Sequence, residues 1–220
     1  MNETNMRRTI LGVVVLLIVL IVGGLVWAIA AGPGPARGPG LPDPNLSFND
    51  ANDPAQGPSD AALTVHVFGD LQCPACRQAE PGLDYAMQKY GDKVRFVWDD
   101  FPLMSAHPNA RVAATAARCA EDQGKFWEYR KTLYDNQPDW AGLSSPTDKF
   151  ASYAATLGLN VDNFKSCVAN DTDRQKIEDD MSEGNSNNVQ ATPTFFIGKT
   201  RYEGGLTNAQ WDQYITAQLP

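Results

Sequence analysis

Histidine and cysteine are scarce in this chain, which has two histidines and four cysteines among its 220 residues. A structural zinc site needs about four such ligands, usually arranged in pairs at short spacing. Only Cys73 and Cys76 form such a pair. The other candidate ligands stand singly and far apart in sequence: His66, His107, Cys119 and Cys167. We therefore expect no metal site, and zinc bound by the single pair is the less favoured alternative.

Basic residues are also outnumbered, because 18 lysines and arginines face 26 aspartates and glutamates, for a net charge of -8. A nucleic-acid-binding surface requires a basic stripe, and none is visible in the sequence. There is no internal repeat and no segment that resembles a dimerisation module. We expect a monomer that does not bind nucleic acid.

Charge is absent from residues 10–31, an unbroken run of apolar and small side chains. As a helix, this segment can span the roughly 30 Å hydrocarbon core of a bilayer. Arg7 and Arg8 precede it, so the positive-inside rule places residues 1–9 in the cytoplasm and the rest of the chain outside. Residues 28–30 resemble a signal-peptide cleavage site, which is the alternative. We expect a retained single-pass anchor in the cell membrane, and both interpretations export the remainder of the chain.

Proline and glycine are concentrated in residues 32–59, which we expect to form a linker. Within this stretch, Leu46 and Phe48 are apolar enough to dock on a folded domain. About 160 residues remain from residue 60 onward, which is enough for one domain with its own core.

The motif with the clearest chemistry is Cys73-Pro74-Ala75-Cys76. It follows residues 63–68, which are apolar and β-branched like a short buried strand. Pro74 suits the first turn of a helix, where its missing N–H would have no partner. A helix N-terminus favours a thiolate at Cys73, and Cys76 one turn later can attack a mixed disulfide formed there. The motif therefore predicts a redox dithiol, with a structural disulfide as the alternative beside zinc.

The order of the predicted elements indicates an α/β fold with a mixed sheet and crossover connections. Further strands are predicted at residues 94–98, 194–197 and 200–202, with a chain break at 99–103. A first helix is predicted from the motif to residue 90, with apolar side chains at helical spacing in residues 78–90. Further helices are predicted at residues 109–120, 124–134, 147–157, 161–168, 174–185 and 208–219. A mainly helical block thus lies between the second and third strands.

Four segments occur in an order that resembles the DsbA-type thiol–disulfide oxidoreductases. They are residues 68–76, Phe101-Pro102-Leu103 with His107-Pro108, residues 123–127 and residues 191–196. The resemblance covers the chain from residue 60 onward. It implies a thioredoxin-like domain of residues 60–103 and 188–220, with an inserted all-helical domain of residues 104–187.

The resemblance also implies roles for particular residues. Cys73 would be the exposed nucleophile and Cys76 the buried resolving cysteine, while the Pro74-Ala75 pair between them tunes the reduction potential. Pro193 would follow a cis peptide bond and face the dithiol, and Thr192 would offer backbone groups to a substrate peptide. An ordinary trans proline at the start of a strand is the alternative at Pro193.

One position departs from the pattern. Similar proteins often carry a buried glutamate six residues before the first cysteine, where it assists proton transfer, and Val67 stands there in this chain. Asp70, Asp99 and Asp100 lie nearby in sequence. We expect them to be solvated turn carboxylates, and the alternative that one of them replaces the glutamate stays open.

Cys119 and Cys167 both fall in the helical block. Four cysteines allow three pairings, and an exported domain permits disulfides. Pairing of Cys73 with Cys76 leaves Cys119 and Cys167 to form a second, structural bridge. Two buried free thiols are the alternative.

Together these observations predict an extracytoplasmic thiol–disulfide oxidoreductase, most simply an oxidase that introduces disulfides into exported proteins. It would need no cofactor besides the Cys73–Cys76 disulfide. By the resemblance, a quinone-linked membrane oxidase of the DsbB or vitamin-K-epoxide-reductase (VKOR) type would reoxidise it. The alternatives are a reductase or isomerase on the same fold, and a redox-inert peptide-binding or chaperone-like module.

Overall fold

The computed structural model describes residue 40 and residues 42–220. Across these residues, no helix combines the length and the apolar character needed to cross a membrane. The predicted cytoplasmic segment (1–9), the predicted anchor (10–31) and the first part of the predicted linker lie outside the described residues.

Five strands form one mixed sheet in the part of the chain that the structure describes, in the order β1-β3-β2-β4-β5. Their bounds are Ala55–Gln56 (β1), Leu63–Gly69 (β2), Val94–Asp100 (β3), Thr194–Ile197 (β4) and Thr200–Glu203 (β5). β2 runs parallel to β3, whereas the other neighbouring pairs are antiparallel. The parallel pair requires a crossover, which a helix supplies, so the mixed sheet expected from the sequence is confirmed.

The sheet packs apolar side chains on both faces. Val65 and Val67 of β2 join the main hydrophobic core, while Phe68, which follows Val67, joins a second cluster. Because successive side chains of a strand point to opposite faces, the two clusters lie on opposite sides of the sheet.

β3 is two residues longer than predicted, so the break expected at residues 99–103 begins only at residue 101. Asp99 and Asp100 continue the parallel ladder with β2. They are only 0% and 1% exposed, so the expectation of solvated turn carboxylates is wrong for both. The Asp100 carboxylate can be buried because it accepts hydrogen bonds from Trp98 Nε1 (2.9 Å) and Arg118 Nε (2.6 Å).

Eight helices are present among the described residues. Their bounds are Pro74–Tyr90 (α1), Ala110–Glu121 (α2), Phe126–Asp135 (α3), Gln137–Trp140 (α4), Thr147–Thr156 (α5), Val161–Asn170 (α6), Arg174–Ser186 (α7) and Asn208–Thr216 (α8). α2 to α7 lie between β3 and β4, where a helical block was expected. α4 has no counterpart among the predicted helices. α1 begins at Pro74, so the motif forms the first turn of this helix, as predicted.

A disulfide between Cys119 and Cys167 joins α2 to α6, as predicted. The Cα atoms are 5.8 Å apart, and the two residues are separated by 48 positions. A loop of that length contributes about 4 kcal/mol by its chain entropy. The bridge thus fastens two helices that are distant in sequence.

The segment before β1 covers the second cluster, which is formed by Leu46, Phe68, Phe101, Val189 and Phe196. Leu46 is buried, and Phe48 packs against the cluster with part of its surface exposed. The predicted docking of these two side chains is confirmed. It is strengthened by the Asn187 side-chain amide, which donates to the Ser47 carbonyl at 3.0 Å.

A completely buried arginine links four parts of the fold. Arg118 on α2 contacts the carboxylates of Asp53, Asp100 and Asp180. Burial raises the pKa of Asp53 and Asp180, and the guanidinium offsets this by compensating their charge. The ion cluster connects α2 to the segment before β1, to β3 and to α7.

Candidate active site

A buried aspartate shapes the turn from β2 into α1. Asp70 Oδ1 accepts hydrogen bonds from the backbone N–H groups of Gln72 (2.7 Å) and Cys73 (3.2 Å). Cys73 is the N-cap residue of α1, and Pro74 follows in the first turn, where proline is favoured. The local sequence therefore sets Cys73 at the mouth of the helix, as predicted.

The two thiols of the motif have opposite pKa shifts. A hydrogen bond from the Cys76 thiol, helped by the N–H groups of Cys76 and Ala75, lowers the pKa of Cys73 to about 6 against the opposing effect of burial. Burial raises the pKa of Cys76 well above its ordinary value, and the hydrogen bond it makes to Cys73 adds to this. The pair therefore holds one thiolate and one thiol near neutral pH.

Cys73 is less exposed than the resemblance implied. Only 7% of its surface is accessible, and Cys76 is 3% accessible. Cys73 is covered because its Sγ lies 3.5 Å from the Thr192 carbonyl oxygen of the opposing loop. The two residues between the cysteines are more accessible, with Pro74 exposed and Ala75 half-buried.

The opposing loop has the predicted backbone form. The Thr192–Pro193 peptide bond is cis, and the Pro193 carbonyl accepts a hydrogen bond from Gly204 N–H at 2.8 Å. The hydroxyl of Thr192 is buried and has no hydrogen-bond partner among the described residues. The fold thus brings together Cys73, Cys76, Thr192 and Pro193, while their catalytic and substrate-binding roles stay predictions.

Asp70 also holds the loop that follows β3. Its Oδ2 accepts from the Leu103 N–H at 2.9 Å and lies 2.7 Å from His107 Nδ1. The expectation of a solvated carboxylate is therefore wrong for Asp70 too, since all its acceptor positions face donors and only 1% of the residue is exposed. His107 belongs to the His107-Pro108 segment that carries the family resemblance, but its contact with Asp70 was not expected.

Two side chains from the helical block support the same turn. Gln137 Nε2 donates to the carbonyls of Leu71 (2.9 Å) and Cys73 (3.2 Å), and the Tyr134 hydroxyl donates to the Asp70 carbonyl (3.2 Å). No sequence pattern pointed to Gln137 or Tyr134. The helical block is therefore part of the site and does more than cover the sheet.

Glu80 is a further titratable group near the dithiol, one helical turn after Cys76. Its two oxygens each lie 2.7 Å from Arg130 Nη1. Burial raises the pKa of Glu80 to about 7, although Arg130 opposes the shift. This carboxyl can thus change protonation near neutral pH, and it was not among the predicted site residues.

A dithiol at a helix N-terminus, opposite a cis-proline loop on a mixed sheet, defines the thioredoxin-like class of proteins. Residues 49–217 match the family model described as thioredoxin. The chain belongs to this family.

Solved structures show the same fold. BdbD from Bacillus subtilis, in its oxidised form, is 25% identical with a TM-score of 0.65, and the match covers 77% of this chain and 94% of that one. A thioredoxin-like oxidoreductase from Silicibacter pomeroyi is 22% identical with a TM-score of 0.66, covering 80% and 96%. α-DsbA1 from Wolbachia pipientis is 23% identical with a TM-score of 0.64, covering 79% and 96%. The structural neighbours are thiol–disulfide oxidoreductases of the DsbA kind.

The matches to curated relatives cover most of this chain but only a minor part of each relative. The Na⁺/H⁺ antiporter NhaA 1 of Salinispora arenicola is 35% identical over 188 residues, which are 82% of this chain and 28% of that protein. NhaA 3 of Salinispora tropica is 34% identical over 208 residues, or 89% of this chain and 31% of that protein. The chain spans about three-tenths of the length of these relatives.

Proposed function

We propose that this protein is an extracytoplasmic thiol–disulfide oxidase that introduces disulfides into exported proteins through Cys73 and Cys76. The observation that carries the proposal is the dithiol itself, in which a Cys73 thiol of low pKa faces the Thr192 carbonyl beside Pro193.

The proposed reaction is a pair of exchange steps. A substrate thiolate attacks Cys73 Sγ of the Cys73–Cys76 disulfide, which forms a mixed disulfide and releases Cys76 as a thiolate. Because burial raises the pKa of Cys76, that sulfur takes up a proton. A second substrate thiolate then attacks the substrate sulfur, and Cys73 leaves as a thiolate. Two electrons pass from the substrate to the dithiol, and the substrate gains a disulfide.

The low pKa of Cys73 indicates in which direction the reaction runs, toward oxidation of the substrate. A group that stabilises the Cys73 thiolate stabilises the reduced protein, so the disulfide form is the better oxidant. The low pKa also makes Cys73 a good leaving group in the second step. Both effects favour an oxidase over a reductase.

The loop at Thr192 suits a peptide substrate. Its carbonyl is directed to Cys73, and an extended peptide can pair with such backbone groups beside the reacting sulfur. The proposed substrates are therefore unfolded exported chains with reduced cysteines, which present an extended backbone around the thiol.

The proposed setting is the outer side of the cell membrane, with residues 10–31 as a single-pass anchor. Reoxidation is assigned by resemblance to a quinone-linked membrane oxidase of the DsbB or VKOR type. Transport, which appears in the names of the curated relatives, is not part of the proposal, because the chain corresponds to less than a third of those proteins.

The test uses the oxidised full-length chain and a reduced test protein whose activity depends on its disulfides. We expect activity to return together with one equivalent of reduced dithiol for each disulfide formed. Cys73→Ala should be inactive, whereas the double variant Cys119→Ala/Cys167→Ala serves as the matched cysteine control and should retain activity.

The same preparation is assayed for insulin reduction, and its reduction potential is measured. An oxidase requires a potential well above the value of about -270 mV typical of thioredoxin. A value as low as that, with rapid insulin reduction and no oxidation of the test protein, would make the chain a reductase. No exchange in either assay would favour the peptide-binding module.

A further inference from the structure

We infer that His66, Asp99 and Glu183 form a binding site for one divalent transition-metal ion of the zinc type. The three residues come from β2, β3 and α7, and their candidate ligand atoms all lie within 4.8 Å of one another. Sequence spacing could not indicate this site, because only the fold brings the three residues together.

Unpartnered polar atoms inside the cluster are the first independent reason. Asp99 is 0% exposed, yet neither of its carboxylate oxygens has a hydrogen-bond partner among the described residues. His66 Nδ1 is buried and likewise lacks a partner there, although it lies 3.3 Å from Asp99 Oδ2. Buried polar groups in folded proteins are almost always satisfied, so these atoms need a ligand that the side chains themselves do not supply.

Among the described residues, no cationic side chain besides His66 contacts Asp99, and Arg118 attracts it only through space. The buried guanidinium of Arg118 is engaged by Asp53, Asp100 and Asp180, and within the described residues His66 is the only ion-pair partner of Asp99. The second hydrophobic cluster, to which Phe68 and Phe196 belong, lies on the same face of β2 as His66. A dipositive ion would balance the two carboxylates of Asp99 and Glu183.

Neighbouring groups already hold two of the ligands in place. The Phe48 ring stacks on the His66 imidazole with 3.9 Å between centroids, which fixes the plane of the ring. The Asn49 N–H donates to Glu183 Oε2 at 2.6 Å, which restrains that carboxylate and leaves Oε1 available. Such contacts orient metal ligands in known sites.

The donor set favours zinc over the alkaline-earth ions. One imidazole nitrogen and two carboxylate oxygens are usual zinc ligands, and three of them leave a fourth position in tetrahedral geometry. Calcium and magnesium prefer oxygen ligands alone and in larger number. Because Phe48 and Asn49 belong to the segment before β1, a bound ion would fasten this segment to β2, β3 and α7.

The experiment is a zinc titration of the full-length chain in its oxidised form. Oxidation is essential, because the Cys73–Cys76 disulfide cannot bind zinc whereas the free dithiol can. We expect one zinc ion per chain by calorimetry and by elemental analysis after dialysis. Calcium and magnesium should not compete, and saturation with zinc should raise the unfolding temperature.

Variants locate the ion. His66→Gln and Asp99→Asn should each lower the affinity for zinc by about tenfold or more. Glu178→Gln is the matched control, because it removes a carboxylate of α7 that pairs with Arg174 instead, and its affinity should equal that of the wild type. Absence of retained zinc, or equal affinity in all these variants, overturns the inference.

X-ray absorption on the zinc-loaded wild type keeps the test independent of how the variants fold. The spectrum should show a single imidazole and otherwise oxygen neighbours. Sulfur neighbours, or a shell without imidazole, would place the ion elsewhere and overturn the assignment.

Discussion

Cys73 and Cys76 lie one helical turn apart, yet each changes the acidity of the other. The Cys76 thiol is the largest cause of the low pKa of Cys73, and backbone N–H groups make up part of the rest. Cys76→Ala removes the thiol donor and keeps the backbone. We therefore expect the Cys73 pKa to rise above its reduced wild-type value of about 6 and yet stay below the value of about 8.5 for a free thiol. Thiolate absorbance against pH measures the shift, and equal values in both proteins would contradict it.

The same thiolate makes the stability of the reduced protein depend on pH. The pKa of Cys73 is about 6 in the folded protein, against an ordinary value of 9.0. The Cys73 thiolate therefore adds to the free energy of unfolding in full above about pH 9, and this stabilisation is lost as the pH falls to about 6. The raised pKa of Cys76 acts with the opposite sign, but only above about pH 9. We expect the free energy of unfolding of the reduced protein, minus that of the oxidised protein, to increase from pH 6 to pH 9. Urea denaturation of both forms checks this, and a constant difference would show that Cys73 has no shifted pKa.

Asp70 is the residue whose role local sequence could least reveal. Its position in a turn after a strand favours a solvated carboxylate, and the donors at Leu103 and His107 come from a loop more than thirty positions away. In the same way, Asp100 at the end of β3 is held by Arg118 from helix α2. Local pattern predicts which backbone a residue adopts, but long-range partners decide whether a charged side chain can be buried.

Replacing Asp70 by Asn tests this role. The amide oxygen can still accept from Gln72 and Cys73, but the amide nitrogen cannot accept from Leu103 N–H. One part-buried donor loses its partner, so we expect a loss of about 1–2 kcal/mol in the free energy of unfolding. Asp84→Asn, an exposed change on α1, is the control and should leave stability unchanged. A loss of the same size in both variants would mean that general charge, and not these hydrogen bonds, is responsible.

At the scale of elements, length and periodicity determined what could be predicted. The long helices and the central strands were located within a few residues, because their apolar positions repeat over several turns or pleats. β1 has two residues and α4 has four, which is too short for any period to show. Yet α4 carries Gln137, which holds the turn at Cys73. An element too short to show a pattern can therefore still carry a residue of the site. Tyr134 and Glu80 were missed for another reason, because they lie on predicted helices but their partners come from elsewhere in the fold.

The disulfide between α2 and α6 is predicted to stabilise the fold without taking part in exchange. Replacing Cys119 and Cys167 together by Ala should lower the free energy of unfolding by about 3–4 kcal/mol, because the unfolded chain regains the entropy of an open loop. Dithiol exchange at Cys73 should continue at the wild-type rate below the lower unfolding temperature. Thermal denaturation and an exchange assay measure the two effects. Lost exchange in a variant that is still folded would identify the pair as a redox relay.

At the scale of the whole molecule, the fold could be predicted because separate signals agreed. The strand before the motif, the helical block and the Thr-Pro segment before a late strand are each common, but their order is specific to one architecture. The cluster of His66, Asp99 and Glu183 had no such signal. Its members come from three elements that are far apart in the chain, and each one alone resembles an ordinary polar residue.

The proposed oxidase activity is tested with the full-length protein in the cell, because its proposed substrates are other proteins. In Cys76→Ala, a mixed disulfide at Cys73 can no longer be resolved by attack from within the protein, so it should accumulate. We expect the full-length variant, expressed in its own cells, to form adducts that disappear on reduction and in which exported proteins are linked to Cys73. Mass spectrometry of the linked peptides identifies the attached residue and the compartment of each partner.

Two controls complete that experiment. Cys73→Ala should yield no adducts, because Cys76 is deeply buried and its raised pKa leaves it protonated. The double variant Cys119→Ala/Cys167→Ala should also yield none, because Cys76 remains to release the substrate. Adducts formed through Cys76 in the first control would reverse the proposed roles of the two cysteines. Adducts with cytoplasmic proteins alone in Cys76→Ala would contradict the extracytoplasmic setting, even if the exchange chemistry itself were correct.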